Sequence, residues 1–494
     1  MKYSYLFVFF LMIGCSTNPP HTAKEVPSLP DTARLLRAYA LYKEPILQNR
    51  RFKHQDIEKL LLAKKGSRKL HIEEIGRSAL SKAVYQVDFG KGAVSVMLWS
   101  QMHGNEPTAT MALFDLMRFF EGEGDEFDDL RTLLSERLHI HMIPMLNPDG
   151  ADIYTRRNAQ GIDVNRDARA VATPEAQILR AAQDRNKPAF GFNLHDQHVY
   201  YRVPGTENPV SIALLAPAFN DAREVNEVRL RAMQLAAGMQ QIVHALYPDV
   251  VAKYDDTHSP RGFGDHFQRS GTSTVLVESG AMRGDPEKQT LRKLNFVLLL
   301  QSLVDIAAER YDQFDRAHYE QIPFNQDDMC DLLLRNLTID KGDAGAIQVD
   351  LAIKKEEITV GNTYYHWSRI EDIGDMENIY LGYETFDARG YEVVLGKEWT
   401  EPIHNFDEMN AEKAFALLKK GFMAVKINSL PSSLCYAWPI YIYHSRKPRL
   451  TGPSLETEAN FYLAKEGVLR YAVLNGYLID LQAKEIPTLW MGVR

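Results

Sequence analysis

The stretch "AVSVMLWSQMHGNEPTAT" (Ala93–Thr110) joins an apolar run to a short polar turn and then a proline. The run from Ala93 to Trp99 reads as a buried strand. Pro107 suits the first turn of a helix, where its missing N–H costs nothing. Beyond it, Leu113, Met117 and Phe120 recur at helical spacing. A strand, a turn and a helix therefore follow one another directly. The turn holds His103 and Glu106 in an H-x-x-E arrangement, and Gly104 permits sharp backbone geometry there. Such a turn can aim both side chains at one point above a sheet edge.

The spacing alone selects nothing. With 15 histidines in 494 residues, about one H-x-x-E is expected by chance. "KLHIEEIG" (Lys69–Gly76) contains a second, His71 and Glu74. Its apolar residues alternate as in a strand, so two side chains three apart point to opposite faces. That pair cannot chelate while it remains a strand.

Outward from the opening stretch, the pattern of a layered α/β domain repeats. Helical stretches are expected at Ala33–Tyr42, His54–Lys64, Pro174–Ala182 and Val225–Tyr247. "QTLRKLNFVLLLQSLVDIAAERY" reads as a long amphipathic helix. Strands are expected at "KLHIEEIG", "KAVYQVDFG", "RLHIHMIPML", "FGFNL" and "STVLVESG", and "NPDG" (Asn147–Gly150) is a turn signal. Strands alternating with helices imply a largely buried sheet, with chemistry in the polar loops at strand ends. His139 and His141 fall inside a strand and read as ordinary sheet residues.

At 494 residues the chain exceeds one compact core, and two domains are expected. Composition shifts at "DQFDRAHYEQIPFNQ" (Asp312–Gln326), giving a linker over 312–327 between a domain at 32–311 and a β-rich accessory domain at 328–494. In the latter, "DLLLRNLTI", "AIQVDLAIKK", "EEITVG", "YEVVLG" and "WPIYIYH" read as short strands. A net charge of −8 gives no electrostatic reason to expect nucleic acid as a partner.

The first residues, "MKYSYLFVFFLMIGC", carry an apolar run too short to cross a bilayer. They read as a signal peptide over 1–14, followed by Cys15 in a lipobox-like setting. Lipidation of Cys15, a polar tether over 15–31 and a location in the cell envelope, periplasm or outer membrane, are expected. Cys330 and Cys435 remain, too few for a disulfide framework.

A catalytic zinc needs three protein ligands and one open position. His195, just after the apolar strand in "FGFNLHDQH", supplies a third beside His103 and Glu106. His198 is a residue of the loop or rim. Taken in order, "HGNEP", "NPDG", "TRRNAQGIDVNRD", "NLHD" and "VLVES" resemble the M14 family of zinc carboxypeptidases over roughly residues 35 to 310. The resemblance implies a mixed, mainly parallel eight-stranded sheet flanked by helices and one Zn2+ on His103, Glu106 and His195. It also implies a peptide substrate with a free C-terminal carboxylate. By the same resemblance Glu278 is the general base, and Arg156 the stabiliser of the oxyanion. Asn165 and Arg166 receive the terminal carboxylate, and Asp163 orients the first zinc histidine.

Two departures stand out. The family places a tyrosine about twenty residues before the base. Here its place falls near Thr257 or His258, with Tyr254 slightly early. The position that sorts side chains falls near Gly264 and carries no charge. A zinc amidohydrolase acting on peptidoglycan stem peptides or small acyl-amino acids is the alternative on the same scaffold.

Overall fold

The computed structural model describes residues 31–493. The expected leader, Cys15 and all but the last residue of the expected tether lie outside them. The chain opens with helices α1 (Thr32–Tyr42) and α2 (His54–Ala63). Strands β1 (Leu70–Arg77), β2 (Ala83–Phe89) and β3 (Val94–Ser100) follow, then α3 (Thr108–Glu121), α4 (Asp128–Arg137) and β4 (Leu138–Ile143). "NPDG" opens a short helix, α5 (Pro148–Asp152), because the Asn147 side chain caps it by accepting from Gly150 N at 2.9 Å. The domain continues through α6 (Pro174–Asn186), β5 (Phe190–Asp196), β6 (Tyr201–Arg202) and β7 (Ile212–Leu215). It ends with α7 (Glu227–Leu246), β8 (Val251–Lys253), α8 (Phe263–Arg269), β9 (Ser273–Ser279) and α9 (Gln289–Ala307).

Eight of these strands form one mixed sheet in the order β1-β2-β4-β3-β5-β9-β7-β8. The β4/β3, β3/β5, β5/β9 and β7/β8 pairs are parallel, and the other three are antiparallel. Helices cover both faces. On one, α6 and α8 pack over Val84, Met97 and Trp99, and the rings of Trp99 and Phe267 lie 4.4 Å apart. On the other, α1, α3, α7 and α9 enclose the larger core.

Helix α9 was expected to be amphipathic; instead every residue from Leu294 to Ala307 is buried. Its outer side lies under neighbouring helices, so its polar residues needed internal partners. Arg292, fully buried, meets Asp115 of α3 (Nε–Oδ2 2.8 Å) and the carbonyl of Glu44 (2.8 Å). Removing one partner of such a pair leaves a buried charge and costs about 3–5 kcal/mol.

The segment expected as a linker folds onto the first domain. It forms α10 (Arg316–Gln321), buries Phe314, Tyr319 and Ile322, and presents the Tyr319 hydroxyl to Ala216 N at 3.0 Å. Strand β10 (Gln326–Asp327) then pairs with β6. Three apolar anchors among polar neighbours do not register as a periodic pattern, which is why the segment reads as loose.

The accessory region begins with the antiparallel strands β11 (Met329–Asp340), β12 (Ala346–Val360) and β13 (Thr363–Gly374). "AIQVDLAIKK" and "EEITVG" are one strand, since pairing with β13 continues through a bulge at Ala352/Ile353 to the turn at Gly361. Further on, parallel strands at Lys397–Ile403, Phe422–Ile427 and Tyr441–Tyr443 flank a helix at Ala411–Lys419, so the region is β-rich but not all-β. Cys330 is buried in β11, and neither it nor Cys435 is in a disulfide.

The two regions dock through charge. Arg50 and Arg51 both reach Glu357 of β12, and the Arg51 guanidinium stacks 3.9 Å over the Tyr364 ring. Tyr200 donates to Asp331 Oδ2 at 2.6 Å, and Arg202 Nε to Asp328 Oδ1 at 2.9 Å.

Candidate metal centre and catalytic cleft

The central parallel strands end at one rim, and three polar side chains converge beyond it. His103 and Glu106 come from the turn after β3, and His195 from the end of β5. His103 Nδ1 lies 2.7 Å from Glu106 Oε1 and 3.2 Å from His195 Nδ1. His195 Nδ1 lies 2.7 Å from Glu106 Oε2. The turn is held by a backbone-to-backbone contact. A Cβ on Gly104 would sit 2.0 Å from the Gly150 carbonyl carbon, so "HGNE" rests directly on the "NPDG" helix.

These residues fit a zinc ion. Two imidazole nitrogens and a carboxylate are zinc's preferred donors, and a tetrahedral site with bonds of about 2.0–2.1 Å has edges near 3.3 Å. The second nitrogen of His103, Nε2, is 2.9 Å from Asp163 Oδ1, which fixes ring orientation as metal-binding histidines require. Burial opposes a charged His103 ring, but Glu106 and Asp163 outweigh it and raise its pKa. By contrast His195 is lowered, chiefly by burial. Glu106, although buried, is held far below the carboxylate range by the two histidines.

Glu278 enters through the sheet register. It is the direct partner of His195 across the parallel β5/β9 pair, so both side chains stand on one face a strand spacing apart. Burial, then the charges of Glu106 and Asp196, push its carboxyl well above the ordinary value. A divalent cation on the triad would counter that push.

The residues of "TRRNAQGIDVNRD" gather around Asp163. Its side chain caps the turn Val164–Arg166 by accepting from Asn165 N at 2.9 Å. The other oxygen takes Arg156 Nε at 3.0 Å. Arg156 Nη1 reaches within 3.3 Å of Glu106 Oε1, at the mouth of the triad. Asn165 accepts from Phe263 N at 2.9 Å, and its Nδ2 is 3.4 Å from His195 Nε2. Arg166 is more exposed and faces the same cleft. Arg157 turns away, donating to Gly161 O at 3.0 Å.

A cavity of about 780 Å³ contains this whole set, within the range of small-molecule sites. On one side it is lined by Leu215, Pro217, Asn193, Gly264 and Asp265. Gly264 leaves this part open, because a Cβ there would come within 3.3 Å of Asn193 Nδ2 and Pro217. Burial raises Asp265 to about 6. Tyr254, Thr257 and His258 all line the cleft. Tyr254 is the one whose hydroxyl feels Glu278, after burial the main cause of its raised pKa. His258 is held at 2.7 Å by Asp221, and His198 stands at the rim 3.7 Å from Asp327.

Some cleft residues gave no sequence signal. Lys288 is buried and donates to Asp196 Oδ2 at 3.0 Å, and Thr108 binds the same oxygen at 2.6 Å. Arg50 and Tyr154 line the cleft from the first domain, and Asp331, Lys355, Glu357 and His366 from the accessory region. They lie far from the motifs in sequence; only the fold brings them together.

Residues 59–203 match the model of the family described as zinc carboxypeptidase, Peptidase_M14. An uncharacterized protein of Zymomonas mobilis is 29% identical over 168 residues, 33% of this chain and 42% of that protein. Carboxypeptidase SOL1 of Arabidopsis thaliana is 38% identical over 66 residues, 13% of each chain. The chain thus spans less than half the length of both curated relatives. A metallo-carboxypeptidase of Burkholderia cenocepacia superposes over 52% of this chain and 70% of its own, at 17% identity and a TM-score of 0.42.

Proposed function

We propose that the protein is a zinc-dependent metallocarboxypeptidase that hydrolyses the C-terminal peptide bond of peptides with Glu278 as general base. One observation carries this reading: the donors of His103, Glu106 and His195 converge while the sheet register sets Glu278 beside His195. Zinc bound there supplies Lewis acidity toward a carbonyl and toward water. The protein's own residues do the rest. Arg166 and Asn165 receive the terminal carboxylate, the guanidinium fork matching its two oxygens. Arg156 donates to the oxygen that gains charge as the carbonyl carbon becomes tetrahedral. Glu278 takes a proton from water as the oxygen attacks, then delivers it to the leaving nitrogen as the C–N bond breaks. An acid and a free amino acid leave.

The alternative is a zinc amidohydrolase for peptidoglycan stem peptides or small acyl-amino acids. Asp331, Lys355, Glu357 and His366 of the accessory region line the same cleft, which supports a restricted substrate. Incubating the purified chain with free peptides, C-terminally amidated peptides and muropeptides separates the two. Cleavage confined to free carboxylates supports the carboxypeptidase. Equal cleavage of amidated peptides, or muropeptides alone, supports the alternative, and no hydrolysis by zinc-loaded protein overturns both. The proposal includes anchoring in the cell envelope by lipid on Cys15. Cys15→Ser should move the protein from the membrane to the soluble fraction, and unchanged fractionation would refute the anchor.

A further inference from the structure

The cleft has a wall that the hydrolytic machinery does not use. A terminal carboxylate on Arg166 places the departing residue over Gly264 and Asn193, so the chain before the scissile bond must run toward the remaining lining. That lining is Arg50, Gln197 and Tyr200 of the first domain with Asp331, Lys355 and Glu357 of the accessory region.

Its carboxylates are already engaged. Glu357 is taken by Arg50 and Arg51. Asp331 Oδ2 accepts from the Tyr200 hydroxyl at 2.6 Å and from Lys355 N at 2.7 Å. Its donors are not. The Lys355 ammonium lies 3.6 Å from Asp331 Oδ1, beyond hydrogen-bond length, and 4.0 Å from the centre of the Tyr477 ring. An ammonium has three hydrogens to place. Arg50 Nε and Gln197 Nε2 have no partner but are sealed from the cleft, the latter packed against Gly280. Unpartnered acceptors do occur in the cleft, at Asn105, Asn193 and Asp196. Those residues adjoin the metal ligands or lie beneath Gly264. Glu384, the other carboxylate that feels Lys355, is an exposed residue; desolvation raises its pKa and the Lys355 charge lowers it.

We propose that this wall is a subsite for an anionic group, a carboxylate on the acyl side of the scissile bond, with Lys355 as its charged donor. It rests on the hydrolytic reading above and narrows the substrate to short peptides with an acidic residue before the departing one. The accessory region then selects substrate as well as packing against the first domain.

Matched substrates test it: N-acetyl-Glu-X against N-acetyl-Gln-X, nearly isosteric, with X varied over Leu, Phe and Lys. The full zinc-loaded chain should favour the glutamate member about tenfold in kcat/KM, as a hydrogen-bonded charge would give. Lys355→Met should bring the ratio close to one, and Lys355→Arg should keep most of it. A ratio near one in the unaltered protein, or a preference that survives in a Lys355→Met protein with unchanged near-ultraviolet circular dichroism, overturns the subsite and leaves the hydrolase intact. If Lys355→Met does not fold, the Lys355→Arg ratio decides. If no substrate is cleaved, the hydrolytic reading fails by itself. The subsite is then judged by ligand-observed NMR, where N-acetylglutamate should bind more tightly than N-acetylglutamine; equal affinity overturns it.

Discussion

Two groups of histidine and carboxylate converge in the first domain, and they differ in everything except proximity. His103, Glu106 and His195 meet beyond the ends of the parallel strands; Asp88, His139 and His141 meet where β4 begins. In each group all three ligand atoms lie within 4.8 Å of one another. The second group follows from pleating alone. His139 and His141 share a face because they are two apart, and Asp88 is the direct cross-strand partner of His141. Asp88 Oδ1 takes His141 Nδ1 at 2.8 Å, and Gln86 joins the same oxygen at 2.6 Å. The hollow around it carries Arg68, Lys69, Lys91 and Arg131, with Glu123 paired to Lys69 and Asp128 to Arg131. Around the first group stand Asp163 and Asp196, paired with Arg156 and Lys288, and Glu278. Ligand spacing is easily met on a sheet. Burial of all three donors, and a carboxylate at the neighbouring register position, separate the two.

Breaking the comparison should show most in the ligands themselves. His195→Ala should abolish zinc binding and hydrolysis together, whereas His141→Ala should leave one zinc per chain by elemental analysis and near-normal turnover. Loss of zinc in the latter would mean the wrong group has been chosen. Glu278→Gln should keep the zinc and lower kcat about 10²–10⁴-fold; undiminished turnover would remove it from the reaction. Asp163→Asn should weaken zinc about 10–100-fold in a chelator competition, while Asp88→Asn leaves that affinity alone.

The smallest effect concerns stability. Burial works against an ionised Asp88, but the hydrogen bond and charge of His141 hold its carboxyl below the ordinary aspartate value. A carboxylate lowered on folding stabilises the native state above its unfolded pKa and loses that contribution as pH falls through the folded one. Asp88→Asn should therefore cost about 0.5–1.5 kcal/mol at neutral pH. In thermal melts the gap should close below about pH 4; a constant gap would mean that charge is not involved.

Much of this was legible in the sequence, for reasons that also mark where it stopped. Apolar strands ending in "HGNE", "NLHD" and "VES" announced the sheet and its rim, because strand ends in an α/β layer open onto one edge. His71 and Glu74 could be set aside because residues three apart on a strand diverge, and β1 is a strand. Tyr254 shows the limit: its place in the motif was off by several residues, yet a loop lets it line the cleft near Glu278. Lys288, Arg50 and Lys355 were illegible, since a lone cation carries no periodicity and its partner is set by tertiary packing. Helix α9 had a readable period, but its burial depended on which helices come to lie on it.

Gly104 and Gly150 touch through their backbones, with no side chain between them to absorb an adjustment. For protein engineering, "HGNE" and "NPDG" are consequently one part with two strands of manufacture. A transplant of the first loop into another scaffold would need the capped helix beneath it. A methyl group added at Gly104 would shift His103 and Glu106 without altering either residue's identity.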